Sequence, residues 1–485
     1  MAELAQLGLL LGAGIVAFGV FALLEAADRR EVVVGIVFGT LVVESFLWAS
    51  QNDVPEGLFH PTLLGVSFRL PDLLVPLALS ARLLVAGWPR RATLQGLLWG
   101  AFLAWVAFGY VVGRAEGNDA AEALFQGKAI LVFGGAIALA AGLRPERLVD
   151  RRSCARWIVA LAATVVPFAL LQQSGLSWDV RWPGLELEAF GTYGADASSL
   201  VMVIALAVLV VESCRERPRA AVAALGLVVV LSPLAGTQSA SVVQLATMSV
   251  LLLLVRAGVV WRRRTTVGAR EGALFNLALC VVAVAAVVVP TAQDARLPLA
   301  QNIEANFADE ASGPTAKART QIWADARKLT VERPWLGWGL GKRIELRQDI
   351  GQSQELTAHN IVIDMALQSG LVGLGLFLAA LGASLAQAWR AWVTEADDRL
   401  AALALACAVA VIGLLAKGLA ESVLYKFRLS TVLGLLLGVI YAVAVRRHAT
   451  SAEDDVADQR LVLRSTAGSV RSTMARSVQS DQLST

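Results

Sequence analysis

Apolar stretches as long as a bilayer-spanning helix recur along most of the chain, and they constrain the fold more than any other feature. A spanning helix needs roughly 17–25 mostly apolar residues. Of the 485 residues, 56% are apolar and 17% are charged, whereas soluble domains carry about 45–50% and about 25%. The pattern predicts an all-α polytopic membrane protein and argues against a soluble enzyme, a disordered chain or a disulfide scaffold. The net charge of +3 predicts no nucleic-acid partner.

Thirteen stretches qualify as spans, and twelve is the alternative because the fifth is short. We expect ten of them within residues 1–291, a large loop at 292–359, the remaining spans at 360–445 and a disordered tail at 446–485. The predicted spans are 5–24, 32–50, 71–87, 92–113, 129–142, 157–174, 198–211, 220–236, 239–255, 273–291, 361–386, 400–424 and 427–445.

Arginine is concentrated in every second connection between the predicted spans. One set of connections, with the tail, holds 25 arginines, and the short connections of the other set, including Lys128, hold six Lys or Arg residues. The positive-inside rule makes the arginine-rich side cytoplasmic. The amino terminus and the 292–359 loop are therefore predicted to lie outside. The first span lacks the basic leader of a signal peptide, so we expect it to be retained.

The large outer loop contains a segment with helical periodicity. Within 315–334, an apolar stripe repeats at helical spacing, and a second row combines two arginines with a tryptophan. Pro334 ends the pattern. The stripe is Ile322, Ala326 and Leu329, and the row is Arg319, Trp323 and Arg327.

A glycine run follows this helix and allows two interpretations. Gly337, Gly339 and Gly341 alternate with larger residues before Lys342 and Arg343. Glycine backbone N–H groups can approach an anion, which the two basic residues would also attract. The same run could instead be a tight turn that folds the loop back onto the membrane.

One of the three histidines lies directly before a predicted span, at the end of the large loop. Histidine suits proton transfer near neutral pH because its unperturbed pKa is about 6.5. His359 is therefore a candidate base, whereas His60 and His448 have no comparable context. Asn360 could orient His359 or cap the following helix, and capping is favoured.

Charged residues also occur inside apolar stretches, where each needs a partner or a water-lined cavity. Structural ion pairs are favoured over the proton relay of a transporter, and Lys417 can reach Glu421 one turn away. Asp72 could cap the start of its span. The residues concerned are Glu44, Asp72, Arg82, Lys417 and Glu421.

The order and spacing of these loop residues resemble the signature of the O-antigen ligase and O-antigen polymerase superfamily. The resemblance covers the topology of most of the chain, and its diagnostic part is about sixty residues long. The matching positions are Arg319, Trp323, Pro334, Gly337, Gly339, His359, Asn360, Gly370, Gly373 and Gly375.

The resemblance implies a glycosyltransferase of the bacterial inner membrane that needs no metal or cofactor. Its donor would be a glycan on undecaprenyl diphosphate, transferred at the outer face to a hydroxyl of a glycan, lipid or protein acceptor. His359 would be the base and Arg319 the catalytic cation at the diphosphate. Arg327, Arg181, Asn360 and Lys342 would bind substrate.

A polymerase of the same superfamily, a lipid-linked glycan transporter and a non-catalytic scaffold remain alternatives. Family members often carry a Ser-Arg pair whose arginine contacts the diphosphate, but here Ser239 is followed by Ala240. Either another cation binds the diphosphate in its place, for which Arg181, Arg319, Arg327 and Arg428 are available, or the donor is held differently.

Overall fold

A computed structural model describes most of the chain outside one long central segment. The predicted spans at 239–255 and 273–291 lie outside the described residues, as do 292–313 and nearly all of 220–236 and of the tail. The described residues are 2–47, 62–63, 66–67, 70–87, 93–174, 180–182, 185–187, 195–213, 219, 221–222, 225–226, 314–347, 353–419 and 421–446.

Helices dominate the described residues. In chain order they are α1 (Ala2–Ala26), α2 (Arg30–Leu47), α3 (Leu70–Ala86), α4 (Leu94–Ala115), α5 (Ala120–Ala141), α6 (Pro145–Leu148), α7 (Arg151–Ser174), α8 (Ala195–Ser213), α9 (Pro314–Glu332), α10 (Ile361–Thr394), α11 (Asp398–Gly418) and α12 (Phe427–Arg446).

Five of the described helices are long and apolar enough to cross a membrane, namely α4, α5, α10, α11 and α12. The prediction of an all-α polytopic membrane protein is confirmed. The count of twelve or thirteen spans and the division into loop and span regions remain predictions.

Three short antiparallel hairpins interrupt the helices, and the sequence pattern did not predict them. Each has two strands, too short to leave a readable alternation of apolar and polar residues. They are β1–β2 (Thr62–Leu63, Val66–Ser67), β3–β4 (Val180–Trp182, Leu185–Leu187) and β5–β6 (Ile344–Arg347, Ser353–Leu356).

Helix α5 starts at Ala120, well before the predicted start at 129. Asp119 caps it, because its carboxylate accepts the backbone N–H groups of Ala121 and Glu122 at 3.2 and 3.3 Å. Lys128 had been counted with the short connections between spans. It lies inside α5 instead. Lys128 forms an ion pair with Asp72 of α3, which offsets the cost of placing its charge within an apolar helix.

Other charges among the helices are also paired within the protein. Arg82 of α3 lies 2.8 Å from the carboxylate of Glu25 in α1, and Lys417 lies 3.5 Å from Glu421. The predicted preference for structural ion pairs is confirmed for these residues. The side chain of Glu44 lies outside the described part of the chain.

Candidate functional site

The helix predicted in the outer loop is present as α9, and its apolar stripe packs inward. Ile322 and Ala326 are buried, and they form a small core with Ile344 of β5, Ala358 and Leu367 of α10. Leu329 packs at the edge of this core. The segment that carries α9 is therefore held against the first turns of α10.

Helix α10 is interrupted at Gly370, which has φ 66° and ψ −175°. The interruption leaves backbone carbonyls without helical partners. The carbonyls of Leu367 and Gln368 accept the N–H groups of Trp338 and Gly339, both at 2.9 Å. The glycine turn of the loop, residues 337–341, thus completes the hydrogen bonds that the break leaves open.

Glycine is required in this turn for both conformation and space. Gly337, Gly339 and Gly341 all have positive φ, between 70° and 85°. A Cβ on Gly339 would lie 2.1 Å from the backbone nitrogen of Gly113 in α4, so the turn can pack here only without one.

The five N–H groups of the turn all bind protein acceptors. Besides the two bonds to α10, Gly337 donates to Arg333, Leu340 to the carbonyl of Gly109, and Gly341 to Oε1 of Gln126. None is left for a phosphate. Of the two interpretations of the glycine run, the structure supports the turn that folds the loop onto the membrane helices.

Ion pairs and stacking surround the same turn. Arg333 pairs with Glu116 at the end of α4, and its hydrogen bond lowers the pKa of that carboxyl below the ordinary value. Arg343 pairs with Glu122. Lys342, predicted to bind substrate, lies with its ammonium 4.7 Å from the ring centre of Trp338. This contact lies within the loop itself, and the role of Lys342 in substrate binding remains a prediction.

His359 occupies a strained position that its neighbours hold from both sides. Its φ is 51°, which is uncommon outside glycine. The N–H of Ala358 donates to Oδ1 of Asp364 at 2.8 Å, and the carbonyl of Ala358 accepts Nε1 of Trp323 at 2.9 Å. The half-buried His359 is thereby fixed between α9 and α10.

Asn360 is the N-cap of α10, as predicted. Its Oδ1 accepts the N–H groups of Val362 and Ile363 at 3.0 and 3.2 Å. Its Nδ2 donates to the carbonyl of Leu419 at 2.9 Å. The same side chain therefore caps the start of α10 and joins the turn at His359 to the end of α11.

A mostly basic connector adjoins this turn at the junction of α11 and α12. We call Lys417, Glu421, Lys426 and Arg428 the basic connector. Glu421 pairs with Lys417 and, at 3.0 Å, with Lys426, and Arg428 is only 4% exposed.

Two further hydrogen bonds join α10 to the connection between α11 and α12. Ser422 donates its hydroxyl to the second oxygen of Asp364. The hydroxyl of Tyr425 donates to Oε1 of Gln368 at 2.7 Å, and burial raises the pKa of Tyr425 well above its ordinary value. Asp364 thus accepts hydrogen bonds both from the turn at His359 and from the connection between α11 and α12.

The other predicted site residues lie around the same turn or remain undescribed. Arg327 is exposed on α9, one turn beyond Trp323. Arg319 lies on α9 one turn before Trp323, but its side chain is outside the described part. Arg181 lies in β3 opposite Glu186, again without a described side chain. The catalytic and binding roles of all these residues remain predictions.

Asp364, Ser422 and Tyr425 were missed by the sequence interpretation. One signal was available, because Asp364 is a carboxylate in the first turn of an apolar span, where a partner is required. Ser422 and Tyr425 gave no signal, since only the folded chain brings them to α10. In the part of the chain described, no group of three or more His, Cys, Asp or Glu residues is arranged to hold a metal ion.

The comparison with protein families agrees with this arrangement. Residues 227–378 match the model of the family described as O-antigen ligase. The matched segment includes α9, the glycine turn, His359 and the interruption of α10. It is about a third of the chain, and it confirms the resemblance to the O-antigen ligase superfamily. No curated protein was found to match the chain.

Proposed function

We propose that the protein transfers a glycan from a polyprenyl-diphosphate carrier to an acceptor hydroxyl, at the outer face of the bacterial inner membrane. The family match supports a ligase-like or polymerase-like role in polysaccharide biosynthesis. The carrier, the outer face and the residues named below belong to the proposal.

His359 is the proposed base. Its imidazole takes the proton of the acceptor hydroxyl while that oxygen attacks the anomeric carbon of the donor sugar. The bond between the anomeric carbon and the phosphate oxygen breaks, and the polyprenyl diphosphate leaves with its electron pair. The acceptor oxygen and the sugar then share the new glycosidic bond.

Cations would stabilise the departing diphosphate. Arg428 of the basic connector and Lys342, whose ammonium lies over Trp338, are two candidates. Arg319 and Arg327, on the α9 face that carries Trp323, are the further candidates, because a guanidinium can bind two phosphate oxygens. A diphosphate is a good leaving group, so the proposed chemistry requires no metal.

The observation that carries the proposal is the way in which His359 is held. A strained backbone persists only where surrounding contacts determine it, and such positions cluster at active sites. Trp323 and Asp364 both bind Ala358 on one side of His359, and Asn360 on the other side caps α10.

The decisive test is covalent transfer by the purified protein in detergent. A fluorescent glycan on undecaprenyl diphosphate is incubated with a membrane extract that supplies acceptors, with and without excess chelator. Movement of the label to a new acceptor, unaffected by chelator, supports the proposal. Absence of transfer in detergent, with movement of the carrier across sealed vesicles, would identify a transporter instead.

The same assay separates the two members of the class. A ligase places the glycan on a distinct acceptor, whereas a polymerase lengthens the glycan on its carrier. A ladder of carrier-linked products would therefore assign the polymerase reaction, and a single shifted product would assign the ligase reaction.

A further inference from the structure

A large apolar cavity lies among α3, α4, α5 and α12, apart from the turn at His359. Its volume is about 710 Å³, and it is partly open. Leu97 and Leu131 line it and are 62% and 64% exposed. Because α4, α5 and α12 are long and apolar enough to span a membrane, the opening is reachable from the bilayer.

The inner wall of the cavity is rigid. Trp99 forms part of it and is nearly fully buried. Its Nε1 donates to the hydroxyl of Ser384 at 3.1 Å, and its ring packs edge-on to Phe133 at 5.2 Å and to Phe377 at 6.0 Å. A wall held in this way does not collapse to fill the space.

Hydrocarbon is the material that suits this space. An ordered water needs two to four polar partners, and the hydroxyls among the lining residues are those of Thr93 and Tyr441. The Thr93 hydroxyl already accepts the N–H of Gly96 at 3.2 Å. An empty cavity would forfeit the dispersion contacts of its whole lining.

The cavity lies towards the end of α4 that is remote from the glycine turn. Thr93, Gly96 and Gly100 are at the start of α4, and Ala141 is at the end of α5. At 1.5 Å per residue, Gly100 lies about 20 Å along the helix from Gly113, which contacts the turn. An occupant therefore enters from the leaflet opposite the candidate site.

We propose that this cavity binds one acyl chain of a bilayer glycerophospholipid from that opposite leaflet. The chain would fill the space between α3, α4 and α5 and would stabilise the inner half of the bundle. The proposal does not depend on glycan transfer, because the cavity is separate from the turn at His359.

Gly100 allows the cavity to be filled by substitution. Gly100 is part of the lining, and a Cβ there meets no atom within 4 Å, so Gly100→Leu adds a side chain at the cavity without a clash at its Cβ. Gly382 of α10 also meets nothing within 4 Å and is not part of the lining, so Gly382→Leu is the matched control.

The experiment measures binding of 1-palmitoyl-2-oleoyl phosphatidylglycerol to the delipidated full-length protein by native mass spectrometry. We expect one tightly held lipid per chain, at least tenfold weaker binding in Gly100→Leu, and a change of less than twofold in Gly382→Leu. Equal binding by Gly100→Leu, or no lipid on the wild-type protein, would overturn the proposal.

A second measurement on the wild-type protein locates the chain and does not require the variant to fold. Phosphatidylglycerol with a photoreactive diazirine on its acyl chain should label the peptides containing residues 93–103 and 131–141. Labelling confined to other peptides, or complete displacement by undecaprenyl phosphate, would show that a phospholipid chain is not the occupant.

Discussion

The backbone N–H of Ala358 donates a 2.8 Å hydrogen bond to the carboxylate of Asp364, six residues further along the chain. This bond holds the residue before His359 to the first turns of α10. The other oxygen of Asp364 accepts the hydroxyl of Ser422, so one buried carboxylate joins the turn to the connection between α11 and α12. Contacts of this kind position His359 without touching its imidazole.

Replacement of His359 tests the proposed base. We expect His359→Ala to lower the rate of glycan transfer by about 10²–10⁴-fold, the usual contribution of a general base. The rate is measured with purified protein and lipid-linked donor, and membrane insertion is checked in parallel. His448→Ala, in the tail, is the control and should keep wild-type activity. Full activity of His359→Ala would show that His359 is not the general base.

Trp323→Phe separates positioning from packing. The phenyl ring retains most of the apolar contact but cannot donate to the carbonyl of Ala358. We expect the turn at His359 to loosen, with a loss of about 1 kcal/mol of stability and a fall of about tenfold in kcat rather than a rise in KM. Trp389→Phe, at a 61% exposed position on α10, should change neither. An unchanged kcat in Trp323→Phe would mean that this bond does not position the base.

Gly339→Ala should undock the outer loop. The added Cβ would lie 2.1 Å from the backbone of Gly113, and the positive φ of residue 339 disfavours alanine as well. We expect a loss on the order of 3 kcal/mol and rapid proteolysis within residues 314–347. Gly375→Ala is the control, because a Cβ there meets nothing within 4 Å. Equal protease resistance of both variants would contradict the docking described here.

The ion pair between Arg333 and Glu116 should make loop docking sensitive to acid. The hydrogen bond from Arg333 lowers the pKa of Glu116 in the folded protein. The stabilisation is therefore complete above the ordinary carboxyl pKa, about 4.3, and is lost as the pH falls through the lower folded-state pKa. Hydrogen exchange of residues 337–341, corrected for the intrinsic pH dependence, should accelerate below about pH 4. Glu116→Gln should remove this acid step, and its persistence would assign it to another group.

Arg428→Gln tests the proposed role of the basic connector. Arg428 is 4% exposed and lies 5.1 Å from the ring centre of Phe427. If it stabilises the departing diphosphate, its loss should lower kcat by about tenfold or more. Arg399→Gln is the control, since Arg399 pairs with Asp397 at the opposite end of α11. Similar kinetics in the two variants would exclude Arg428 from the site.

Several features of the fold were predicted from local sequence patterns. The spans, the amphipathic stripe of α9 and the capping role of Asn360 were predicted because each depends on residues close together in the chain. The fifth span was predicted to begin at 129, directly after Lys128, whereas α5 begins at Ala120. The ion pair of Lys128 with Asp72 joins two different helices, which no local pattern contains.

The sequence by itself determined that the chain contains membrane-spanning helices and that a segment with helical periodicity precedes His359, because hydrocarbon length and helical spacing are local properties of a chain. Only the tertiary structure decided between an anion cradle and a packed turn for the glycine run. That outcome depended on which acceptors α4, α5 and α10 brought to its N–H groups. The hydrogen bond between Asp364 and Ser422 likewise depends on the fold. It joins α10 to the connection between α11 and α12, and no local sequence pattern predicts a contact between segments so far apart in the chain.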